Sequence, residues 1–82
     1  KVQKLLVGLE WQEDIQMETG STISVEGIQI GNITSSVTFE SNPGGIGLGF
    51  VKKPFAHQNS IVLGTNSQGI SSKIKLTHIP DL

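Results

Sequence analysis

The sequence predicts a small all-β domain whose six strands close into a barrel. Short runs of alternating apolar residues, many of them β-branched, are separated by turns that use most of the ten glycines. No stretch of the 82 residues has helical periodicity, and 35% of the residues are hydrophobic. We expect a barrel because closure removes the exposed edges that a small open sheet would present.

The first strand is predicted over residues 2–11, with a bulge at Gly8. Its apolar residues are Val2, Leu5, Val7, Leu9 and Trp11. Residues 12–20 lose the alternation, so we expect a solvent-exposed loop or a single helical turn closed by Gly20. Ile15 and Met17 of this loop are expected to cap one end of the barrel.

A hairpin is the clearest local feature. Residues 22–25 alternate strictly, Glu26-Gly27 is typical of a two-residue turn, and residues 28–33 continue as the return strand. Gly31 indicates a bulge or barrel corner, after which the strand extends to Phe39.

The second half of the chain predicts three more strands. Residues 41–45 form a dense turn cluster, and the fourth strand then runs from Ile46 to a stop at Pro54, with one bulky face and one bare face. Strands over 61–63 and 70–79 flank a turn at 66–69. This second hairpin weakly repeats the pattern of residues 23–33.

Composition excludes several functional classes. Six lysines, no arginine and seven carboxylates give a net charge of −1, and without a basic run we do not expect a nucleic-acid partner. The absence of cysteine excludes disulfides, thiolate nucleophiles and cysteine-ligated metal sites. The longest apolar stretch, residues 5–9, is far shorter than the roughly 20 residues of a membrane-spanning helix.

The small size of the domain predicts an economical core. A chain this short is near the lower limit at which a single hydrophobic core holds a fold without disulfides or metal. We therefore expect nearly every Ile, Leu, Val and Phe to lie inside.

Glycines 44, 45, 47 and 49 are the first candidate site, because repeated glycine lets backbone N–H groups close around an anion. No helical pattern follows them, and neither GK[ST] nor GxGxxG is present. We therefore interpret them as the bare face of a barrel strand.

The acidic residues Glu10, Glu13, Asp14 and Glu18 could bind a hard cation, but they lack the fixed offsets of a calcium loop. A solvated acidic loop is the expected alternative. His57 and His78 have no catalytic motif around them and are expected at the surface.

No residue is therefore assigned as catalytic or as a metal ligand. Asn32-Ile33-Thr34 matches a glycosylation sequon but lies inside a predicted strand. Trp11 is expected to pack in the core or at a domain interface rather than to bind a ligand.

Two strings of this sequence carry a resemblance to a known family. Residues 27–36, GIQIGNITSS, followed by residues 46–51, IGLGFV, resemble the patterns "G..IG.VTSG" and "IGLGYV". These patterns belong to the C-terminal barrel of the glycine-cleavage T-protein (aminomethyltransferase) family. Residues 4–9, KLLVGL, look like the first strand of the same barrel, especially in the YgfZ-type folate-binding branch, which is linked to iron-sulfur cluster proteins.

The resemblance implies a six-stranded Greek-key barrel of the elongation factor/aminomethyltransferase common-domain type. Residues 1–82 would be a single domain, the C-terminal fragment of a larger folate-binding protein. In this family the catalytic carboxylate, most tetrahydrofolate contacts and the K-x-C-x-x-G-Q-E stretch lie upstream, and no segment of this chain matches them.

A late arginine can contribute to ligand binding in T-protein barrels, but this chain has no arginine. Lys73 and Lys75 lie in the last predicted strand, yet lysine lacks the bidentate fork that suits a carboxylate. No cofactor-binding residue is therefore carried over, and the YgfZ-like branch is slightly favoured over a true aminomethyltransferase.

These expectations favour a non-catalytic accessory barrel whose partner is the upstream folate-binding module of its own chain. The fragment itself would bind no cofactor, whereas the parent could bind tetrahydrofolate and act in aminomethyl transfer or in iron-sulfur cluster assembly or repair. The expected location is the cytoplasm or, in a eukaryote, the interior of a mitochondrion or plastid. The alternatives are a stand-alone translation-factor-like barrel that binds protein or RNA, and a small enzyme using His57 or His78.

Overall fold

The computed structural model describes residues 3–79, which form a closed barrel of six antiparallel strands. The strands are β1 (Lys4–Trp11), β2 (Thr22–Val25), β3 (Ile28–Thr38), β4 (Gly45–Lys52), β5 (Ile61–Thr65) and β6 (Ser71–His78). The predicted fold class and strand count are confirmed. Val2 and Pro80, predicted to lie in the first strand and to end the last one, fall outside the described residues.

The strand order around the barrel is β1-β4-β3-β2-β5-β6. Turns join β2 to β3, β3 to β4 and β5 to β6, whereas residues 12–21 and 53–60 connect strands that are not neighbours. The order β1-β4-β3-β2 is a Greek key. In this ring β4 and β5 are three positions apart in either direction, so they lie on opposite sides of the barrel.

The β2–β3 hairpin has the predicted two-residue turn. Glu26 and Gly27 both have positive φ, 51° and 80°, which is the signature of a type I′ turn. The pairing of β2 with β3 shifts between Ile23 and Ser24, which leaves Ile30 as an extra residue beside Gly31. A similar shift lies between β1 and β6 beside Gly8, but its extra residue is Thr77, so the bulge predicted at Gly8 lies on the strand opposite it.

The loop over residues 12–21 closes one end of the barrel without forming a helical turn. Met17 is fully buried, as expected for a residue that caps the barrel. The carbonyl oxygen of Gln16 accepts a hydrogen bond from Asn66 Nδ2 (3.0 Å), and that of Met17 accepts one from the Ser36 hydroxyl. The predicted loop is therefore confirmed, and the structure adds that it is bonded to β3 on one side and to the β5–β6 turn on the other.

The β4–β5 connection contains a short element that the sequence pattern did not predict. Residues Lys53–Phe55 form one turn of 3₁₀ helix with Pro54 in its first positions. Proline suits this place because its missing N–H has no partner at a helix start. Ala56 follows and is buried against the core.

The core is a single cluster inside the barrel. It consists of Val7, Leu9, Trp11, Met17, Ile23, Ile30, Ile33, Val51, Ala56, Val62, Ile74 and Leu76. Trp11 is its largest member, and its indole Nε1 donates a hydrogen bond to the carbonyl of Ile15 (2.9 Å). The interpretation of Trp11 as a core residue is confirmed.

The expectation that nearly every large apolar residue lies inside is wrong. Of those within residues 3–79, ten are exposed: Leu6, Ile28, Val37, Phe39, Ile46, Leu48, Phe50, Ile61, Leu63 and Ile70. Successive strand residues point to opposite faces, and the interior of a small barrel holds few side chains. The number of inward positions therefore limits the core, and the remaining apolar residues stay outside.

Candidate functional site

The glycines of β4 face the interior of the barrel. A Cβ on Gly49 would lie 2.7 Å from the carbonyl oxygen of Asn32 and 3.0 Å from Leu9 Cδ1, so a side chain has no room there. A Cβ on Gly47 would lie 2.5 Å from the carbonyl oxygen of Ser35. The interpretation as the bare face of a strand is confirmed for Gly45, Gly47 and Gly49, but it is wrong for Gly44, which lies in the turn before β4 with a φ of 104°.

The bulky residues of β4 consequently point outward. Ile46, Leu48 and Phe50 are 48%, 44% and 40% exposed. Leu6 of β1 lies opposite Phe50, and Val37 of β3 lies opposite Ile46. We call these five residues the apolar face. A shallow depression of about 270 Å³ lies on it, between β3 and β4.

The two ends of the apolar face differ in charge. At one end Lys4 of β1 lies directly opposite Lys52 of β4, two residues along each strand from Leu6 and Phe50. At the other end Glu10 lies opposite Ile46. The charges beside the apolar face therefore differ along the strand direction. One end of the face is cationic and the other is anionic.

A second depression, of about 300 Å³, lies where β1, β5 and β6 meet. Glu10, Glu13, Lys73 and Lys75 line it together with Ile61. Glu10 lies opposite Lys75 in the β1–β6 ladder. The structure thus brings two of the four candidate acids next to both late lysines, and the groove carries mixed charge that favours neither sign of ligand.

The remaining polar contacts of the acidic loop are structural. Glu13 Oε1 accepts a hydrogen bond from the Ser72 hydroxyl (2.9 Å), and Glu18 Oε1 accepts one from the backbone N–H of Ser67 (2.6 Å). The bond from Ser67 lowers the pKa of Glu18. Among residues 3–79, no three acidic or histidine side chains are close enough to hold a metal ion.

Both histidines lie at the surface, as expected. The Nε2 atom of His57 is 2.9 Å from the carbonyl oxygen of Pro54, so this ring bonds to its own loop. His78 ends β6 opposite Gly8. Asn32 of the sequon is half-buried within β3, which confirms its strand position. None of the helical residues in the described range forms a segment long enough to span a membrane.

Sequence reasoning missed three buried polar residues, Ser21, Asn66 and Ser72. Asn66 had been interpreted only as the start of a turn, although its side chain also reaches the closing loop. Ser72 shares the inward alternation of Ile74 and Leu76, so the period of the last strand could have identified it.

Comparison with known proteins gives two informative matches, while no protein-family model matches the chain. An Arabidopsis thaliana protein named "Putative transferase At1g60990, chloroplastic" is 38% identical over 58 residues, which cover 70% of this chain and 13% of that protein. The crystal structure of the glycine cleavage system aminomethyltransferase T from Bartonella henselae matches with a TM-score of 0.70 at 21% identity, covering 90% of this chain and 20% of that one.

The chain therefore has the fold of a T-protein-like barrel domain, and the resemblance found in the sequence is confirmed at the level of the fold. Both matched proteins are named as transferases. The chain spans well under a quarter of the length of either one.

Proposed function

We propose that this chain is a non-catalytic accessory barrel of a T-protein-like or YgfZ-like tetrahydrofolate-binding protein. Its role is to close and rigidify the folate cleft in the larger module of its parent. The match to aminomethyltransferase T supports this proposal, because nearly the whole chain aligns with one fifth of that protein.

The apolar face is the observation that carries the proposal. Contiguous exposed apolar surface on a small domain is typical of an interaction site. With strands about 4.8 Å apart and a rise of about 3.3 Å per residue, three strands along the eight residues of β4 cover roughly 14 Å by 26 Å, or about 360 Å².

This area favours a contact within one polypeptide. Interfaces between domains of one chain bury about 600–1,500 Å² in total, or about 300–750 Å² on each side. Stable complexes of separate proteins need about 800 Å² on each side. The outer surface of β1, β3 and β4, which contains the apolar face, reaches the first range but not the second, and this supports the larger module of the same chain as the partner.

The chemistry of the parent belongs to that module. The barrel supplies no catalytic group, and its lack of arginine favours the YgfZ-like branch, with a role in iron-sulfur cluster assembly or repair, over aminomethyl transfer. The plastid in the name of the Arabidopsis relative supports an organelle interior as the site of action.

The test starts from the complete gene. We expect it to encode, upstream of these residues, a T-protein-like module or the K-x-C-x-x-G-Q-E stretch, and the full-length protein to bind tetrahydrofolate in a calorimetric titration. Replacement of Leu48 and Phe50 by Glu should weaken that binding about tenfold, which corresponds to about 1.4 kcal/mol, because the barrel no longer holds the cleft closed.

The matched control replaces Ile61 and Leu63 by Glu, two exposed apolar positions on β5, on the opposite side of the barrel. It should leave folate affinity unchanged. A gene without the upstream module, or equal folate binding by the Leu48/Phe50 variant, would overturn the proposal.

A further inference from the structure

The cationic end of the apolar face contains an unfavourable pair. Lys4 and Lys52 are direct cross-strand partners, so their Cβ atoms are about 4.5–5.5 Å apart. Like charges in this position destabilise a sheet. Two residues along each strand lie Leu6 and Phe50, which belong to the apolar face itself.

Among residues 3–79, the carboxylate on this face is that of Glu10, at the other end and too distant to offset the repulsion. Glu10 points outward from the same strand as Lys4 but is six residues away, or about 20 Å. This distance is more than twice the screening length of about 8 Å at physiological ionic strength. Asn32, the β3 neighbour of Phe50, carries no charge, and the residue after Lys52 is another lysine.

Water can solvate both ammonium groups while the face is exposed, but a docked module would displace part of that water. Lys52 is already half-buried, so a covering surface would remove further water from its side chain. Desolvating two adjacent cations is costly unless an anion accompanies the covering surface. Hydrophobic contact is also non-directional, so the charged end is the feature able to fix one docking orientation.

We propose that the surface of the larger module that covers the apolar face places a carboxylate between Lys4 and Lys52, and that this contact sets the orientation of the barrel. The inference rests on the proposed function, because that function makes the partner a part of the same chain. It adds the chemistry of the partner surface, which is apolar over Leu6, Leu48 and Phe50 and acidic at one end.

Carbodiimide cross-linking of the full-length protein, expressed from its complete gene, tests the contact directly. This reagent joins a lysine to a touching carboxylate without a spacer, and peptide mass spectrometry identifies the pair. We expect Lys4 or Lys52 to be joined to an Asp or Glu of the larger module. Lys75 should be joined to Glu10, its ladder partner, as the positive control within the barrel.

Hydroxyl-radical footprinting of the same protein distinguishes a failure of the inferred lysine–carboxylate contact from a failure of the proposed function. We expect Leu6, Leu48 and Phe50 to be protected from oxidation and Ile61 and Leu63, on the far side, to be oxidised. Replacing Lys4 and Lys52 by Glu should reduce this protection at least twofold, whereas the same change at Lys73 and Lys75 should leave it unchanged.

Protection of the apolar face without a cross-link from Lys4 or Lys52 to the module would overturn the inference and leave the proposed function standing. Oxidation of the apolar face at the same rate as Ile61 and Leu63 would overturn the proposed function and the inference with it.

Discussion

The Asn66 side chain forms hydrogen bonds with three backbone groups at the closed end of the barrel. Its Oδ1 accepts hydrogen bonds from the N–H groups of Gln68 and Ile70, both at 3.0 Å, and its Nδ2 donates to the carbonyl oxygen of Gln16, also at 3.0 Å. The side chain is buried. It therefore shapes the β5–β6 turn and at the same time ties that turn to the closing loop.

Replacing Asn66 by Ala should lower the free energy of unfolding by about 1–3 kcal/mol, because buried backbone groups lose their partners. Asn66→Asp keeps the acceptor for the turn but places a buried carboxylate oxygen against the carbonyl oxygen of Gln16, so its loss should be at least as large. Urea denaturation measures both values. Asn42→Ala, in the exposed β3–β4 turn, is the control and should change stability by less than about 0.5 kcal/mol. An Asn66→Ala protein as stable as this control would contradict the assignment.

At the scale of elements, the sequence predicted most of the fold because the relevant signals are local. The turn residues Glu26-Gly27 specify a hairpin through their own backbone conformations. Gly8 and Gly31 lie beside shifts in strand register, where a side chain would collide with the neighbouring strand. The same alternation predicts the strand boundaries. For strands whose predicted range lies within residues 3–79, each predicted boundary agrees with the structure to within two residues. The first strand begins at Lys4, inside its predicted range.

The orientation of β4 could not be predicted in this way. Its sequence alternates glycine with Ile46, Leu48 and Phe50, and that pattern permits either face to point inward. Hydrophobicity favours burial of the bulky face, but the space between Asn32, Leu9 and Gly49 admits only glycine. The pairing of Glu10 with Lys75 could not be predicted from the sequence either, because it depends on the order of the strands around the closed barrel.

The backbone of the β2–β3 turn is strained at Glu26, and a substitution there can relieve the strain. Glu26 adopts φ 51°, a conformation that costs an ordinary side chain about 1 kcal/mol and that Asn tolerates better. Glu26→Asn should therefore raise the free energy of unfolding by about 0.5–1 kcal/mol, measured by urea denaturation. Glu40→Asn removes the same charge at an exposed position outside the hairpin and should have no comparable effect. A gain shared by both variants would assign the effect to charge rather than to the turn.

At the scale of the whole molecule, the barrel has two different sides. The apolar face is centred on β4, and the opposite side, centred on β5, places Ile61 and Leu63 beside Lys75 and Lys73. The two apolar residues there are each flanked by a lysine, whereas on the apolar face the lysines are confined to one end. One side is thus suited to being covered and the other to remaining in water.

The division between core and outer face predicts how stability responds to substitution in the 82-residue chain. Replacing Leu48 and Phe50 by Thr introduces β-branched residues, which suit a strand, and should cost about 1 kcal/mol or less in unfolding free energy, because both side chains are already about 40% exposed. Leu9→Ala should cost about 2–5 kcal/mol, since Leu9 is only 1% exposed at the centre of the core. Urea denaturation of the three proteins compares these values.

Binding of an apolar dye gives the second measurement, because the Leu48/Phe50 variant should bind less dye than the original chain while remaining folded. The same pair of changes at Ile61 and Leu63 controls for general loss of surface apolarity and should reduce dye binding less, since lysines interrupt that side. A Leu48/Phe50 variant destabilised as strongly as Leu9→Ala would mean that these side chains hold the barrel together, and the apolar face would then have no free energy to contribute to a partner.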